Sequence, residues 1–478
     1  MESCKYFILL IIILFNNSLY TQNSKYPNFV FFLVDDLGYS DIGCYGSNYY
    51  KTPNIDKLAH EGVKFTNAYA SGMVCSPSRA SILTGKYPAR LRITTAIPIK
   101  GYARINSGKG TPFKDADYTM NLPLQELTIA EALKNNGYST SCIGKWHVCK
   151  DSIFFPENQG FDENIGGSGR GHSANYFYPY YGKWRMAEGH PWIEWNTVKG
   201  GKPGEYLTDR LTDEALKFIE KNKNKPFFLY LSHYAVHTPI QAKEKILLKY
   251  KDADPDIKRG HIYPKYAAMI ESVDQSLGLI LKKLEELNLS DDTIIIFTSD
   301  NGGHGKWTSN YPFRGNKGNF YEGGIRVPLI VKWSNKINSQ QIFEDPVIGN
   351  DFYPTILEMA EISLIPSQHM DGISLWPSIK SGKKIKRNRL FWHFPNYIGA
   401  GHPDPSKPTS VIRKGKWKLI ENLENGEVQL FDLKKDVSEK TDLSNKLIKK
   451  VVELKNELNN WRISVNAQMP IVNENYIE

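Results

Sequence analysis

Short apolar runs that end abruptly in polar residues recur along the chain. Such runs are typical of strands that are buried on both faces, as in a parallel sheet. The strands predicted from them cover residues 28–34, 138–143, 226–231, 293–298 and 327–331.

The segments between these runs show helical periodicity. Thr128 and Glu131 match a capping box, and Gly137 is expected to end that helix. The two clearest apolar stripes contain Leu211, Ala215 and Ile219, and then Tyr266, Ile270, Val273, Leu277, Ile280, Leu284 and Leu287. Strands that alternate with helices predict an α/β sandwich around a mostly parallel sheet.

The pattern changes after about residue 380. Short strand patterns over residues 391–394, 409–413, 417–420 and 429–433 precede a helical pattern over 446–461. We therefore predict a large domain over residues 24–385 and a smaller C-terminal antiparallel α+β subdomain over residues 386–478.

The N-terminus has the pattern of a secretory signal. Lys5 precedes an apolar run from Tyr6 to Phe15, and polar residues follow at once. Crossing a bilayer takes roughly 20 apolar residues, so the run is too short for a membrane span. The sequence predicts a signal peptide over residues 1–22, export to the periplasm or the medium, and no stable membrane anchor.

Composition is that of a folded protein, with 41% hydrophobic and 23% charged residues, and 478 residues exceed one ordinary core. The formal charge of +9 favours an anionic polymer as a partner, and we expect no nucleic acid. The basic run 383–387 and the lysines 414, 416 and 418 contribute to this charge, as a polyanion surface or as ordinary solvated faces.

Five cysteines give no paired framework. Cys4 lies in the predicted signal, and Cys75 stands in a motif described below. Core thiols are the default for the other three, Cys44, Cys142 and Cys149, with a Cys142–Cys149 bridge as the alternative.

Polar residues follow the predicted strands at one edge of the sheet, where open α/β sheets bind ligands. They are Asp35, Asp36, Lys145, His147, His237, Asp300 and Asn301. Carboxylate and amide oxygens suit Ca²⁺ or Mg²⁺, and without a cation three carboxylates there would repel one another.

Cys75 begins the run Cys75-Ser76-Pro77-Ser78-Arg79. Ser76 has the character of a helix cap, Pro77 of a first helical residue, and Gly85 of the residue just past the end. The run predicts that Cys75 lies at a helix N-terminus, where backbone N–H groups favour an anion.

The Cys-x-Pro-x-Arg pattern resembles the signature of type I sulfatases, a family of the alkaline phosphatase superfamily. The likeness covers nearly the whole mature chain, and its further motifs occur in the family's order over residues 34–38, 144–147, 237–239, 298–302, 317–328, 351–357, 371–372 and 413–419. One departure follows Gly-Lys-Trp-His, where Val148-Cys149 replaces the common Leu-Gly. The resemblance implies an alkaline-phosphatase-like fold, with the sulfatase catalytic domain over residues 24–385.

In this family a maturation enzyme, which would be a partner of the chain, oxidises the cysteine to formylglycine (3-oxoalanine). The aldehyde hydrates, and one hydroxyl attacks sulfur while the other later expels sulfate. The resemblance thus implies that Cys75 is modified in this way. It also implies one Ca²⁺ per chain, held by Asp35, Asp36, Asp300 and Asn301 together with the modified Cys75.

The resemblance also implies roles for the cationic and acid–base residues. Arg79 would position the nucleophile, and Lys145 and Lys317 would grip sulfate. His237, with or without Lys317, would protonate the leaving alcohol. His147 would deprotonate the second hydroxyl, and Asp300 would activate the attacking one.

The tract over residues 166–173 is a candidate for substrate contact. Arg170 and His172 could meet a sulfate or a uronate, and the aromatic run 176–181 could stack on sugar rings. A flexible surface loop with buried tyrosines fits the same residues.

These observations favour hydrolysis of sulfate esters on a sulfated polysaccharide or an oligosaccharide derived from it. Two alternatives stay open at this point: a phosphoester or phosphonate hydrolase of the same superfamily, and a non-catalytic protein that binds sulfated glycans.

Overall fold

The computed structural model describes residues 26–98, 110–180, 182–183, 192–193, 197–398 and 406–476. Cys4 and the predicted signal peptide over residues 1–22 lie outside these ranges. Among the described residues, no helix combines the length and the apolar character that crossing a bilayer requires.

The described strands, in chain order, are β1 Asn28–Val34, β2 Val63–Phe65, β3 Ala68–Tyr69, β4 Phe113–Lys114, β5 Ser139–Gly144, β6 Glu163–Ile165, β7 Gly182–Lys183, β8 Trp192–Ile193, β9 Phe227–Ser232, β10 Thr293–Ser299, β11 Leu329–Lys332, β12 Gln341–Phe343, β13 Val347–Ile348, β14 Arg389–Phe394, β15 Thr409–Lys414, β16 Trp417–Asn422, β17 Val428–Asp432 and β18 Ile471–Val472.

The described α-helices are α1 Pro53–His60, α2 Cys75–Thr84, α3 Pro88–Leu91, α4 Ile129–Lys134, α5 Leu207–Lys221, α6 Glu244–Leu247, α7 Pro264–Glu286, α8 Glu322–Ile325, α9 Phe352–Met359, α10 Trp376–Ser381 and α11 Ile448–Ser464.

Eight strands form the central sheet in the order β12-β2-β11-β10-β1-β9-β5-β6. The strands from β10 to β6 run parallel, and β11 is antiparallel to both of its neighbours. This sheet confirms the predicted mostly parallel architecture.

Every residue of β1 is buried, and its side chains alternate between two apolar layers. Val30, Phe32 and Val34 pack in the layer that contains α1, α5 and α7. The intervening side chains of β1 pack in the layer that contains α2, α4 and α9. Helices therefore cover both faces of the sheet, which explains why its central strands read as continuous apolar runs.

The C-terminal unit is a separate antiparallel sheet of four strands, β14 to β17. Leu454 and Leu458 of α11 pack against Val411 and Leu419 of this sheet. The predicted small antiparallel subdomain is therefore present.

All ten residues of α2 are buried, and the helix begins at Cys75 itself. Val74 is the N-cap residue, with extended backbone and no capping side chain, so the expectation that Ser76 caps the helix is wrong. Ser76 Oγ instead accepts a hydrogen bond from the Ile97 N–H at 3.0 Å. Gly85 ends the helix with φ 71°, as predicted.

Cys44, Cys75, Cys142 and Cys149 are free thiols. The alternative of a Cys142–Cys149 bridge is therefore not realised, and both of these side chains are buried.

Candidate active site

The carboxyl ends of four parallel strands bring the predicted site residues together. Asp35 follows β1, Lys145 follows β5 and Asp300 follows β10. Ser232 is the last residue of β9, and its carbonyl accepts a hydrogen bond from the Lys145 N–H at 2.7 Å. The strand termini thus fix the positions of these side chains relative to one another.

Two carboxylates and one thiol form the centre of the site. Ligand atoms of Asp35, Cys75 and Asp300 all lie within 4.8 Å of one another, and all three residues are buried. Burial raises the pKa of Asp35 well above its ordinary value, although Lys145 opposes this. Burial also raises the pKa of the Cys75 thiol. The cluster therefore strongly favours a compensating positive charge.

Two buried oxygen atoms of the site accept no hydrogen bond from any described residue. They are Asp35 Oδ1 and Asn301 Oδ1. The amide nitrogen of Asn301 is engaged, since Nδ2 donates to Asp36 Oδ1 at 2.8 Å and to the Gly302 carbonyl at 3.0 Å. Unpaired buried acceptors cost free energy, and a hard cation is a ligand that would satisfy both.

Asp36 adopts φ 60°, a left-handed backbone conformation that is uncommon for a residue with a side chain. Its carboxylate lies 2.7 Å from Lys317 Nζ and 3.6 Å from His237 Nε2. Burial alone would raise the pKa of Asp36, but Lys317 and then His237 outweigh it, so the pKa lies well below the ordinary value. Asp36 is therefore ionised, and its carboxylate holds the Lys317 ammonium in the site by an ion pair.

Arg79 lies fully buried, one helical turn beyond Cys75. Its Nε and Nη2 are each 2.8 Å from Asp300 Oδ2. Nη1 donates to the Lys145 carbonyl at 2.9 Å and to Ser232 Oγ at 2.6 Å. The guanidinium therefore ties α2 to the ends of three strands, and Ser232 is a contact that sequence reasoning missed.

Lys145 and Lys317 pair with different carboxylates of the site, Asp35 and Asp36. Lys145 Nζ donates to Asp35 Oδ2 at 2.6 Å and is fully buried. Asp36 raises the pKa of Lys317 above its ordinary value in spite of burial, so this ammonium stays charged.

His147 presents one ring nitrogen without a partner. Nε2 lies 3.0 Å from the Ile97 carbonyl, which only accepts, so Nε2 carries the proton and Nδ1 is bare. Nδ1 is buried and has no hydrogen-bond partner in the described part of the chain. Burial and Lys145 lower the pKa of His147 well below its ordinary value, which keeps the ring neutral.

His237 points Nε2 at the site because its other nitrogen is engaged. Nδ1 lies 2.9 Å from the Thr238 carbonyl. Tyr176 Oη donates to the carbonyls of Tyr234 and of His237 itself, at 2.6 and 2.9 Å, which supports this loop. Burial and then Lys317 lower the pKa of His237 well below its ordinary value.

Of the two predicted substrate residues, His172 lies beside this histidine. The ring of His172 is nearly parallel to that of His237, at 13° and 6.0 Å between centroids. Burial lowers the pKa of His172 to about 4, and the charge of Arg170 is close enough to contribute. In the aromatic run, Tyr176 and Tyr180 are buried and do not form a surface for sugar rings, so the alternative of buried tyrosines is right for them. Tyr181 lies outside the described residues.

Sequence reasoning also missed a polar network behind the site, centred on Asp41. Asp41 Oδ2 accepts from the Gly38 N–H at 2.9 Å and from Tyr266 Oη at 2.8 Å, and Oδ1 accepts from Thr308 Oγ1 at 2.6 Å. Tyr266 Oη also lies 3.2 Å from the Asp36 carbonyl. In the sequence, the only indication of this network is that the carboxylate of Asp41 stands in a short segment bounded by apolar Leu37 and Ile42.

Comparison with known proteins gives the family of this architecture. A family model described as "Sulfatase" matches residues 27–362, and one described as "N-sulphoglucosamine sulphohydrolase, C-terminal" matches residues 315–464. A "Sulfatase" of Formosa agariphila is 31% identical over 92% of this chain and 89% of its own length. The human N-acetylgalactosamine-6-sulfatase is 31% identical over 78% of this chain and 70% of its own length.

The solved structure of Ps i-CgsB in complex with k-i-k-neocarrahexaose superposes on the fold with a TM-score of 0.76. It is 30% identical in sequence and covers 91% of this chain and 93% of its own.

Proposed function

The chain belongs to the sulfatase family and is a sulfuric ester hydrolase that acts on carbohydrate, and we propose that it does so with a formylglycine made from Cys75 and a bound Ca²⁺. The observation that carries this proposal is the buried cluster of Asp35, Cys75 and Asp300 beside Arg79 and Lys145. We also propose a domain boundary near residue 385 and specific roles for the residues of the site.

The residues that would hold Ca²⁺ are Asp35, Asp36, Asp300 and Asn301. Their donor set is hard, and the unpaired oxygens Asp35 Oδ1 and Asn301 Oδ1 are available for coordination. When bound, the ion would supply positive charge for sulfate and for the converging carboxylates. Lys145 already contacts Asp35, so the chain itself compensates part of this charge.

Arg79 and the two lysines would orient the reacting groups. Formylglycine, once formed, would supply a hydrated aldehyde with two hydroxyls on one carbon. Arg79 would hold that side chain in place, because its guanidinium is fixed by Asp300 and by Ser232. Lys145 and Lys317 would bind sulfate oxygens and stabilise charge that develops in the transition state.

Two histidines would move protons at defined atoms. His147 would accept a proton at Nδ1, which is bare and has no other described partner. His237 would deliver a proton from Nε2 to the leaving oxygen only when both ring nitrogens are protonated, because Nδ1, opposite the Thr238 carbonyl, carries the single proton of the neutral ring. Its own pKa is low, so Lys317, which stays protonated beside the same carboxylate, would share this role.

The substrate would be a sulfated polysaccharide or an oligosaccharide derived from it, met outside the cell. The net charge of +9 favours a polyanion, and a solved relative is in complex with a neocarrahexaose. His172 lies beside the proposed proton donor, and His172 and Arg170 would contact the sugar. Export through residues 1–22 and a maturation enzyme as partner complete the proposal.

The decisive experiment is mass analysis of the peptide that contains Cys75, taken from active protein. We expect the mass that results when the CH₂SH group is replaced by CHO, together with faster turnover of sulfate monoesters than of matched phosphate monoesters. Cys75→Ser is the matched control, because it fills the same volume but cannot be converted to the aldehyde by the same oxidation. It should fold as the wild type does and lose at least about a thousandfold in turnover. An unmodified thiol in fully active protein contradicts the mechanism, and faster phosphate turnover contradicts the assigned reaction.

A further inference from the structure

A cationic groove, separate from the active site, lies at the far end of α2, the helix that begins with Cys75. The helix α2 has ten residues, so its two ends are about 15 Å apart. At the far end, the Gly85 carbonyl accepts a hydrogen bond from the Asp371 N–H at 3.3 Å. Asp371 lines a groove of about 320 Å³ between the main domain and the C-terminal subdomain. The groove is thus separate from the site described above.

Carboxylates hold two of the cations of this groove in fixed orientations. Arg90 donates Nε and Nη2 to Asp371, both at 2.9 Å. Arg387 donates Nη1 and Nη2 to Asp351 at 2.6 and 2.7 Å. Bidentate pairs of this kind fix the plane of a guanidinium, and Arg90 keeps Nη1 without a hydrogen bond to any described residue.

Two more cations on the lining are largely exposed. Arg389 lies 2.8 Å from Glu457 through Nε, with 49% of its side chain exposed. Lys386 is exposed and makes no ion pair within the described ranges. The lining carries four cations, but Asp371, Asp351 and Glu457 pair with its three arginines, so the net positive charge of the groove comes from Lys386. The exposed Lys383 and Lys384, on the same segment, add to the positive charge.

Aromatic rings form one wall of the groove. The rings of Phe391 and Trp461 stack in parallel, at 2° and 4.8 Å between centroids. Tyr87 packs edge-on against Trp461 at 5.3 Å, which holds the stack in place. Tyr87 and Trp461 are buried and Phe391 is half-buried, so these rings form an apolar border, and the guanidinium groups carry the match to the anionic substituents of a sulfated sugar.

We propose that this groove binds a sulfated segment of the polysaccharide substrate while another segment of the same chain occupies the active site. The proposal rests on the proposed function in one respect only, that the substrate is a polymer. A volume of about 320 Å³ is enough for a short stretch of sugar. Binding at two points raises the effective concentration of sulfate esters at the active site.

The test uses the full chain with Cys75→Ser, so that the polymer is not consumed, and measures migration in gels that contain dextran sulfate or unsulfated dextran. The groove variant is Lys386→Glu with Arg389→Glu. The matched control is Lys225→Glu with Lys336→Glu, two exposed lysines without ion pairs among the described residues. We expect the groove variant to bind dextran sulfate about tenfold more weakly, the control to bind within about twofold of the parent, and dextran to retard none of them.

Equal binding by the groove variant and its parent overturns the proposal, and so does an equal loss in the control, because net charge alone then explains it. Lys386→Ala guards against misfolding, since it removes one exposed cation and should weaken binding in the same direction. In the active background, the groove variant should lose kcat/KM on polymer and keep it on a small aryl sulfate. Wild-type protein that binds dextran sulfate through the groove and hydrolyses no sulfate ester overturns the proposed function and leaves the groove in place.

Discussion

Single side chains of the site carry buried charges that compensate one another. Asp35 contacts Lys145, Asp36 contacts Lys317, and Asp300 contacts Arg79. Removing one member leaves its partner charged and unpaired in the interior, which typically costs several kcal/mol. Alanine variants of these residues therefore change stability as well as catalysis. Substitutions that leave the buried ion pairs intact are needed to separate the two effects.

His237→Ala tests the proposed proton donor through the leaving group. We expect sulfate release from a sugar alcohol to fall by roughly 10²- to 10⁴-fold, since that oxygen needs a proton to depart. Release from an activated phenyl sulfate should fall far less. Rates on the two substrates measure the difference. His172→Ala is the matched control, because its ring lies 6.0 Å from that of His237 and should change KM alike for both leaving groups. Equal losses on both substrates in the His237 variant would remove it from this role.

Tyr266→Phe tests the network behind the proposed cation ligands. The hydroxyl links Asp41 to the backbone of Asp36, and its removal should let the Asp35–Asp36 turn move. We expect Ca²⁺ affinity, measured by calorimetry after chelation, to fall by about tenfold.

Tyr138→Phe is the control for this measurement. Tyr138 is equally buried, but its hydroxyl has no hydrogen-bond partner in the described structure. This control should bind Ca²⁺ as the wild type does. An unchanged affinity in Tyr266→Phe would show that the network does not act on the cation site.

At the level of elements, the close approach of β5 and β9 positions Lys145. Gly144 ends β5 with φ 102°, and a Cβ at this position would lie 1.9 Å from the Ser232 carbonyl oxygen. Only glycine fits there, and the next residue places its ammonium against Asp35.

Gly144→Ala should therefore reduce both stability and activity. The loss of unfolding free energy should exceed the 1–2 kcal/mol or so that positive φ alone costs a residue with a side chain. Thermal unfolding and sulfate release are the measurements. Gly137→Ala is the control, because Gly137 has φ 86° but open space around it, so it should lose stability modestly and keep its activity. Full activity in Gly144→Ala would mean that Lys145 does not depend on this contact.

Elements that bury apolar residues were the predictable part of the fold. The apolar run 28–34 forms β1 with the same bounds, and the capping box at Thr128 and Glu131 is present. The start of α2 was not predictable, because Ser76 has the ordinary features of a cap but bonds to the distant Ile97 instead. Local sequence carries no information on such a contact.

The same distinction applies to the site. Residues directly after strands, such as Asp35 and Asp300, could be placed at the sheet edge from the pattern alone. Ser232 and Asp41 could not, since their importance comes from partners far away in sequence, Arg79 and Thr308. The ends of strands can be recognised from the local sequence. Contacts between residues that are distant in sequence depend on the completed fold.

For the whole molecule, a buried ionic cluster joins the main domain to the C-terminal sheet. Lys418 of β16 lies 2.9 Å from Glu322 of the main domain and 2.8 Å from Glu439, and all three side chains are buried. The Glu322 N–H donates to Glu439 at 2.6 Å. Arg413 of β15 and Tyr69 of β3 are hydrogen-bonded across the same junction.

Glu439 makes the stability of this junction depend on pH. Burial, with the charge of Glu322, raises the pKa of Glu439 from 4.5 to about 7. Between these values the folded protein holds a proton that the unfolded chain has released, so this contribution is complete below pH 4.5 and is lost as pH rises through about 7.

Glu439→Gln should remove that part of the pH dependence. We expect the thermal midpoint of the wild type to fall relative to that of the variant when pH is raised from 5 to 7.5, in a series of melting curves. Parallel midpoints across the range would show that Glu439 does not titrate there.

If Cys75 is converted to formylglycine, as we propose, its burial sets when that oxidation would have to happen. Its side chain is 3% exposed and heads a helix with no exposed residue. A maturation enzyme would not reach this sulfur once the chain has folded, so the proposed oxidation would precede folding, on the nascent or still unfolded polypeptide. Adding such an enzyme to purified, folded thiol protein would then come too late, and active preparations would depend on a host that modifies the chain as it is made.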